Sequence, residues 1–178
     1  AFADKAPSML VNYEAMPMKQ YGKNFDNEMK ESLSIAIANL DNKNRNRTYK
    51  YNIRKNSLPS LIASYNGEPY TISPYLTDGY LTYPPWATPP VNVFLPVSNE
   101  ENVVFYITHY LSPDPNPLFR SNDTVRFKQV FSNYYAYDNG TSEAGIGING
   151  SAGQYAVQFK LNENDTMRGI QLYFNPVT

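Results

Sequence analysis

The chain contains no cysteine and a single histidine, His109. Without cysteine no disulfide or thiolate metal site can form, and one histidine is too few for a zinc site of nitrogen and sulfur ligands. Catalysis of the Ser-His-Asp type would depend on His109, which lies in an apolar stretch, and no Gly-x-Ser-x-Gly elbow supplies the serine. These deficits predict a chain that is not an enzyme and in which His109 is a structural residue.

Charged residues are also scarce, at 17% of the chain against roughly 25% in an average soluble domain. Fifteen basic and sixteen acidic residues leave a net charge of −1. The richest basic stretch, residues 43–55, is interpreted as a solvated loop around a turn, with a binding patch as the alternative. Residues 49–53 within it alternate and predict a strand. No basic stripe stands out, so we expect no nucleic-acid partner. No apolar run approaches the roughly 20 residues of a membrane-spanning helix, so we expect no membrane span.

Aromatic residues are abundant, with 16 tyrosines and nine phenylalanines, and 14 prolines divide the chain into short segments. Apolar and polar side chains alternate in many of these segments, which predicts half-buried β-strands. Residues 103–110 are apolar on both faces, which predicts a central strand covered on both sides. Short strands bounded by turns are typical of a β-sandwich or a jelly roll. The sequence therefore predicts an all-β fold.

Two regions bear on the details of this fold. Residues 155–161 and 169–174 alternate on either side of the turn signal at residues 162–165, which predicts a hairpin. Near the amino terminus, residues 33–38 alternate as well, and we favour a strand that begins in the polar stretch before them. The alternative is a short helix over residues 26–31, because Phe25, Met29 and Leu33 are spaced by four.

Oxygen-bearing side chains surround Gly140 in a candidate calcium site formed by Asp138, Asn139, Thr141 and Glu143. Hard oxygen ligands at alternating positions are those that Ca²⁺ binds. The alternative, which we favour, is a common Asp-Asn-Gly turn, because no second acidic cluster completes the coordination shell. Apart from this calcium candidate we expect no cofactor.

An aromatic run beside a proline-rich stretch contains Tyr80, Tyr83 and Trp86, the last being the single tryptophan of the chain. Such a run suits a stacking platform for sugar rings or a patch that binds protein. The alternative, which we favour, is that Trp86 packs over the edge of the sandwich while the prolines fix the loop.

The sequence FSNYYAYDNGTSEAGIGI at residues 131–148 resembles a segment of large secreted Bacteroidota proteins, F-x-N-Y-x-A-Y-D-D-G-T-A-E-x-G-Y-G. Such proteins end in a type IX secretion sorting domain, and the likeness continues over residues 155–159 and 165–176. Residues 122–127 resemble the closing strand of the Ig-like module that usually precedes the segment. Asn139 stands where the family has aspartate, which removes one charge from the calcium candidate.

The resemblance implies an Ig-like antiparallel β-sandwich over residues 1–130, followed over residues 131–178 by the first strands of a second, jelly-roll-like β module. Because no sorting domain follows, we expect the chain to be a fragment of a longer parent. The resemblance also implies O-glycosylation of Thr124 and Thr166, each of which follows an aspartate and precedes an apolar residue.

Together these expectations describe a non-catalytic structural or adhesive module of a bacterial protein that is secreted or lies on the outer cell surface. Its partners would be other domains of the same parent chain, and a surface protein or glycan. Two alternatives stay open, namely a carbohydrate-binding module that uses Tyr80, Tyr83 and Trp86, and an accessory domain of a secreted hydrolase.

Overall fold

The computed structural model describes residues 5–33, 35–56, 60–74, 95–112, 123–138, 140, 147 and 152–173. Within these residues lie two short helices, α1 (Met18–Gly22) and α2 (Phe25–Glu28), and one mixed sheet. The sheet has five strands, β1 (Ala15–Met16), β2 (Arg45–Lys55), β3 (Leu61–Ile72), β4 (Val103–Ser112) and β5 (Thr124–Phe131). The strand order is β1-β5-β4-β2-β3, with β1 parallel to β5 and the other neighbours antiparallel. The β-rich class predicted from the sequence is confirmed.

Alternation along β2 and β4 gives the sheet one buried face. Successive side chains of a strand point to opposite faces, so alternate residues share a face. The side chains that face the core are buried, namely Tyr49, Tyr51, Ile53, Val103, Phe105, Ile107, His109 and Leu111. The prediction that both faces of β4 are covered is wrong, because Tyr106 is 39% exposed and Thr108 is half-buried. Tyrosine and threonine suit an accessible sheet face as well as a buried one, and the sequence alone does not distinguish the two.

The chain before β2 covers the buried face of the sheet. Its apolar side chains join the core, namely Met9, Leu10, Tyr13, Met16, Met18, Tyr21, Met29, Leu33, Ile35 and Ile37. α1 begins directly after Pro17, whose carbonyl accepts a hydrogen bond from Tyr21 N at 3.0 Å. The Tyr21 hydroxyl donates to Leu95 O at 2.9 Å. This segment, residues 5–40 without residue 34, is called the cover below.

A buried glutamine on β5 attaches the cover to the sheet. The Gln129 Oε1 accepts hydrogen bonds from Ser8 Oγ at 2.9 Å and from Met9 N at 3.1 Å, and its Nε2 donates to Glu14 O at 2.8 Å. Gln129 has no solvent-exposed surface. Since buried polar groups need hydrogen-bond partners, this side chain fixes where the irregular backbone of the cover lies.

The strand favoured for residues 33–38 and the polar stretch before them is wrong. Phe25–Glu28 form α2, close to the helical alternative, and none of the described residues 29–40 belongs to a strand. Leu33, Ile35 and Ile37 are buried nevertheless. An extended segment that lies across a sheet buries alternate side chains without pairing with a strand, so the same alternation arises from a cover.

The hairpin predicted for residues 155–174 is not formed by the described residues, since none of residues 152–173 belongs to a strand. Its turn bonds to the cover instead, as shown below.

β5 continues to Phe131, which is fully buried and packs against the rings of Tyr21 and Phe105 at centroid distances of 4.8 and 5.7 Å. The division into modules at residue 130 stays a prediction.

Candidate functional site

His109 lies on β4 inside the core and is fully buried. A hydrogen bond of 2.7 Å joins its Nδ1 to the hydroxyl of Tyr49, and the two rings stack with centroids 6.0 Å apart. Burial lowers the pKa of His109 to about 4, because a charged imidazole would lose its hydration. The side chain is therefore neutral near pH 7. His109 is a buried, hydrogen-bonded histidine, as the sequence predicts.

Tyrosines from neighbouring strands enclose this histidine. The rings of Tyr51 and Tyr65 stack with centroids 5.3 Å apart, and Tyr49 lies 5.9 Å from Tyr65. Gly67 permits this approach, because a Cβ there would lie 3.0 Å from Tyr49 O and 3.2 Å from the Tyr65 ring. Burial raises the pKa of Tyr49 and of Tyr51. Tyr49 and Tyr51 are consequently neutral parts of the core.

A second buried glutamine, Gln20 on α1, holds the turn at residues 162–165. Its Oε1 accepts hydrogen bonds from Asn162 N at 2.8 Å and from Glu163 N at 3.0 Å. Its Nε2 donates to Glu163 O at 3.1 Å and to Asp165 Oδ2 at 3.3 Å. Gln20 has no exposed surface. One side chain thus satisfies three backbone groups of the turn.

Further polar contacts surround the same turn. Asn162 Nδ2 donates to Glu28 Oε1 at 2.8 Å and to Gln20 O at 3.0 Å. Glu163 forms ion pairs with Lys19 and, at 3.3 Å, with Lys23. The Lys19 ammonium, assisted by Lys23, holds the pKa of Glu163 below its usual value. These contacts fix the turn to α1 and α2, which explains why it does not close a free hairpin.

The chain before the turn is held by aromatic residues. The Tyr13 hydroxyl accepts a hydrogen bond from Lys160 N at 2.8 Å and donates to Lys160 O at 3.3 Å. The Tyr137 hydroxyl donates to Gln158 O. Phe159 stacks on Tyr13 with ring centroids 6.3 Å apart, and it lies 5.2 Å from Tyr137. The backbone between residues 158 and 165 is therefore anchored at several points.

Despite this anchoring, residues 152–173 present apolar side chains to solvent. The exposed fraction is 72% for Ile170 and 67% for Leu172. The other large exposed apolar residues of this segment are Tyr155, Val157, Phe159, Leu161, Met167 and Tyr173. Patches of exposed apolar side chains are typical of sites that contact another protein surface, and eight such side chains lie within this one segment. We call residues 152–173 the apolar segment.

Only Asp138 of the calcium candidate falls within the described residues. Its Oδ1 accepts a hydrogen bond from Gly140 N at 2.8 Å, and Gly140 has a φ of +86°. Such an Asx turn with a left-handed glycine is the geometry of the turn alternative. Asn139, Thr141 and Glu143 lie outside the described residues. Among the residues that are described, no group of three acidic or histidine side chains could hold a metal ion.

The other predicted site residues divide into two groups. Tyr80, Tyr83 and Trp86 lie outside the described residues, and the stacking platform stays a prediction. Thr124 begins β5 and Thr166 follows the turn, and both are exposed. Thr166 N donates a hydrogen bond to Asp165 Oδ1 at 2.8 Å. Exposure is what a modifying enzyme would need at either threonine.

No helix in the described part of the chain is long and apolar enough to cross a membrane.

The sheet face opposite the core carries a group of basic side chains. The part of this face on β2, β4 and β5 is called the open face. It is formed by Lys50, Asn52 and Arg54 of β2, Tyr106, Thr108 and Tyr110 of β4, and Arg126 and Lys128 of β5. Strand register places Arg54, Tyr106 and Lys128 in one row, and Asn52, Thr108 and Arg126 in the next. Lys128 Nζ lies 5.8 Å from the centroid of the Tyr106 ring. None of the residues that form this face is acidic.

The open face could not be predicted from the sequence, because its residues come from three separate segments. The interpretation of residues 43–55 as a solvated loop is wrong, since Arg45–Lys55 form β2, which includes the strand predicted for residues 49–53. The available signal was the spacing of the basic residues, which alternate with buried residues in β2 and with buried or half-buried residues in β5. Only strand pairing shows that the basic residues of β2 and of β5, the strands that flank β4, share one face of the sheet.

Comparison with known proteins gives no match: no family model fits the sequence, and no curated protein or solved structure is similar to it.

Proposed function

We propose that the chain is a non-catalytic structural or adhesive module of a bacterial protein that is exported or lies on the cell surface. In this proposal residues 1–130 form an Ig-like module and residues 131–178 open a jelly-roll-like one. The resemblance of residues 131–148 to secreted Bacteroidota proteins and the β-rich fold support it. The module acts by presenting surfaces to other domains of its parent and to surface partners.

The observation that carries the proposal is the apolar segment. Its backbone is fixed by Tyr13 and Gln20 around residues 160–163, and beyond that anchored part the side chains of Ile170 and Leu172 are exposed to solvent. Holding a segment in place costs conformational entropy, and exposing apolar side chains brings no compensating burial. The arrangement is favourable when a neighbouring domain or partner covers these side chains, which is what a module of a larger β protein would provide.

The environment of the single histidine agrees with a role without catalysis. A general base must reach its substrate and titrate near the working pH. His109 has no exposed surface, and burial lowers its pKa to about 4. The accessible features of the described residues are instead an apolar segment and a basic sheet face.

The location can be tested in the organism that makes the protein. Intact cells would be treated briefly with trypsin, and the released peptides and the culture medium analysed by mass spectrometry. We expect peptides of this chain to be released from intact cells or found in the medium, with hexose on those that contain Thr124 or Thr166. A cytoplasmic enzyme detected in the lysate but absent from the released fraction serves as the control for lysis. Recovery of this chain only from the cytoplasm would overturn the proposal.

A further inference from the structure

We propose that the open face of the sheet binds an acidic polysaccharide whose sugars carry carboxylates. This inference rests on the proposed adhesive function and names the class of its surface partner. Its basis is the juxtaposition of basic, hydroxyl and amide side chains on one side of β2, β4 and β5.

Charge separation within the molecule supports an anionic ligand. The whole chain has a net charge of −1, yet Lys50, Arg126 and Lys128 lie together on the open face. Arg54 extends this group at the end of the row that contains Lys128. Within the four long strands, the acidic residue Glu68 lies on the edge strand β3, next to the register shift. The face therefore attracts anions, although the protein as a whole does not.

The spacing of the cations suits a ligand that carries charges at intervals. Neighbouring strands lie about 4.8 Å apart, so residues on β2 and β5, with β4 between them, are about 10 Å apart. Arg126 and Lys128 are two residues apart on one strand, which places them about 7 Å apart. The guanidinium of Arg126 can bind a carboxylate through two parallel hydrogen bonds. A polymer lying across the strands along the row of Tyr106 would meet Arg54 at one end and Lys128 at the other.

The residues between the cations favour a sugar polymer over single-stranded nucleic acid. Asn52 and Thr108 lie opposite each other at the centre of the face, and their side chains donate and accept hydrogen bonds as sugar hydroxyls do. Binding of unpaired bases depends on aromatic rings whose faces are open for stacking. Here Lys128 Nζ lies over the Tyr106 ring, and Tyr110 is half-buried. Few ring faces are left for bases.

Binding of the purified chain to polygalacturonate would test the inference, with the dissociation constant measured by biolayer interferometry at low salt. The test variant is the double substitution Arg126→Gln and Lys128→Gln. The matched control is Lys43→Gln with Arg168→Gln, which removes two exposed cations elsewhere. Each double variant changes the net charge from −1 to −3. We expect the dissociation constant to rise at least about tenfold for the test variant and less than about twofold for the control.

A near-isosteric variant protects the result against loss of folding. Asn52→Asp places a carboxylate at the centre of the face with little change in shape, and we expect it to weaken polygalacturonate binding by about tenfold. Thermal unfolding of each variant is recorded in parallel.

Three results would overturn the inference: no binding of polygalacturonate, equal weakening by the control variant, or tighter binding of dextran sulfate or a single-stranded oligonucleotide. Each leaves the proposed function standing if trypsin still releases the chain from intact cells. A chain confined to the cytoplasm would remove the proposed function whatever it binds in solution.

Discussion

Gln20 holds the backbone of Glu163 from both sides, accepting a hydrogen bond from Glu163 N at 3.0 Å and donating one to Glu163 O at 3.1 Å. Gln129 holds the amino-terminal part of the cover in the same way, through Met9 N and Glu14 O. Two buried side-chain amides thus link three parts of the molecule: Gln129 on β5 holds the cover, and Gln20 in the cover holds the turn at residues 162–165. Segments without regular secondary structure depend on such contacts, because they lack the hydrogen-bond ladder of a sheet.

Replacing Gln20 with alanine should release the turn at residues 162–165. The substitution leaves the amides of Asn162 and Glu163 without their acceptor. Because both residues are half-buried, water offsets part of the about 1–3 kcal/mol that an unsatisfied buried group costs. We expect faster hydrogen exchange at these two amides and a loss of about 2 kcal/mol in the free energy of unfolding. Gln171→Ala, at an exposed glutamine, should change stability by less than about 0.5 kcal/mol. Unchanged exchange at residues 162 and 163 would show that Gln20 does not hold the turn.

The buried His109 should make the protein less stable in mild acid. Its pKa is about 4 in the folded state, below the ordinary value of 6.5. Above pH 6.5 the imidazole is neutral in both states and has no effect. As the pH falls from 6.5 to 4, the unfolded chain binds a proton that the folded chain does not, so stability is lost, up to about 3 kcal/mol.

Comparison with His109→Gln isolates this effect from the titration of carboxylates. Glutamine is neutral throughout this range, and its amide can donate to the Tyr49 hydroxyl or accept from it, whichever role His109 Nδ1 has. Chemical denaturation at pH values between 4 and 7.5 gives the difference in unfolding free energy between the wild type and the variant. We expect the unfolding free energy of the wild type to decrease relative to that of the variant as the pH falls. A difference that stays constant would mean that His109 is accessible to solvent in the folded protein.

Part of this architecture could be predicted from the sequence. The strands β2 and β5 follow from alternation, because a half-buried strand imposes a period of two on its side chains, and β4 follows from its continuous apolar sequence. The positions of Leu33 or Phe159 could not be predicted that way, because an anchored extended segment shows the same alternation without a pairing partner. The roles of Gln20 and Gln129 were also not predictable, since their bonding partners lie more than 100 residues away in the chain.

Two neighbouring residues of β4 test whether the sheet is covered on one face. Ile107 is fully buried, whereas Thr108 points to the open face and is half-buried. Ile107→Ala should lower the free energy of unfolding by about 2–5 kcal/mol, because it leaves a cavity in the core. Thr108→Ala should cost less than about 1 kcal/mol. Urea denaturation measures both, and similar losses for the two variants would mean that the open face is packed as well.

The apolar segment should tolerate charges where the core does not. Ile170 and Leu172 are exposed, so Ile170→Lys with Leu172→Lys removes no buried surface and should change the free energy of unfolding by less than about 1 kcal/mol. The same variant should bind less of a dye that fluoresces on apolar surfaces and should self-associate less at high concentration, because it breaks up the exposed apolar surface. Gln154→Lys with Gln171→Lys adds the same charge to the same segment without removing apolar side chains, and it should keep the dye binding of the wild type. A large loss of stability in the Ile170 and Leu172 variant would show that these side chains are packed in solution, and the apolar segment would then be part of the core and no longer a surface for a neighbouring domain.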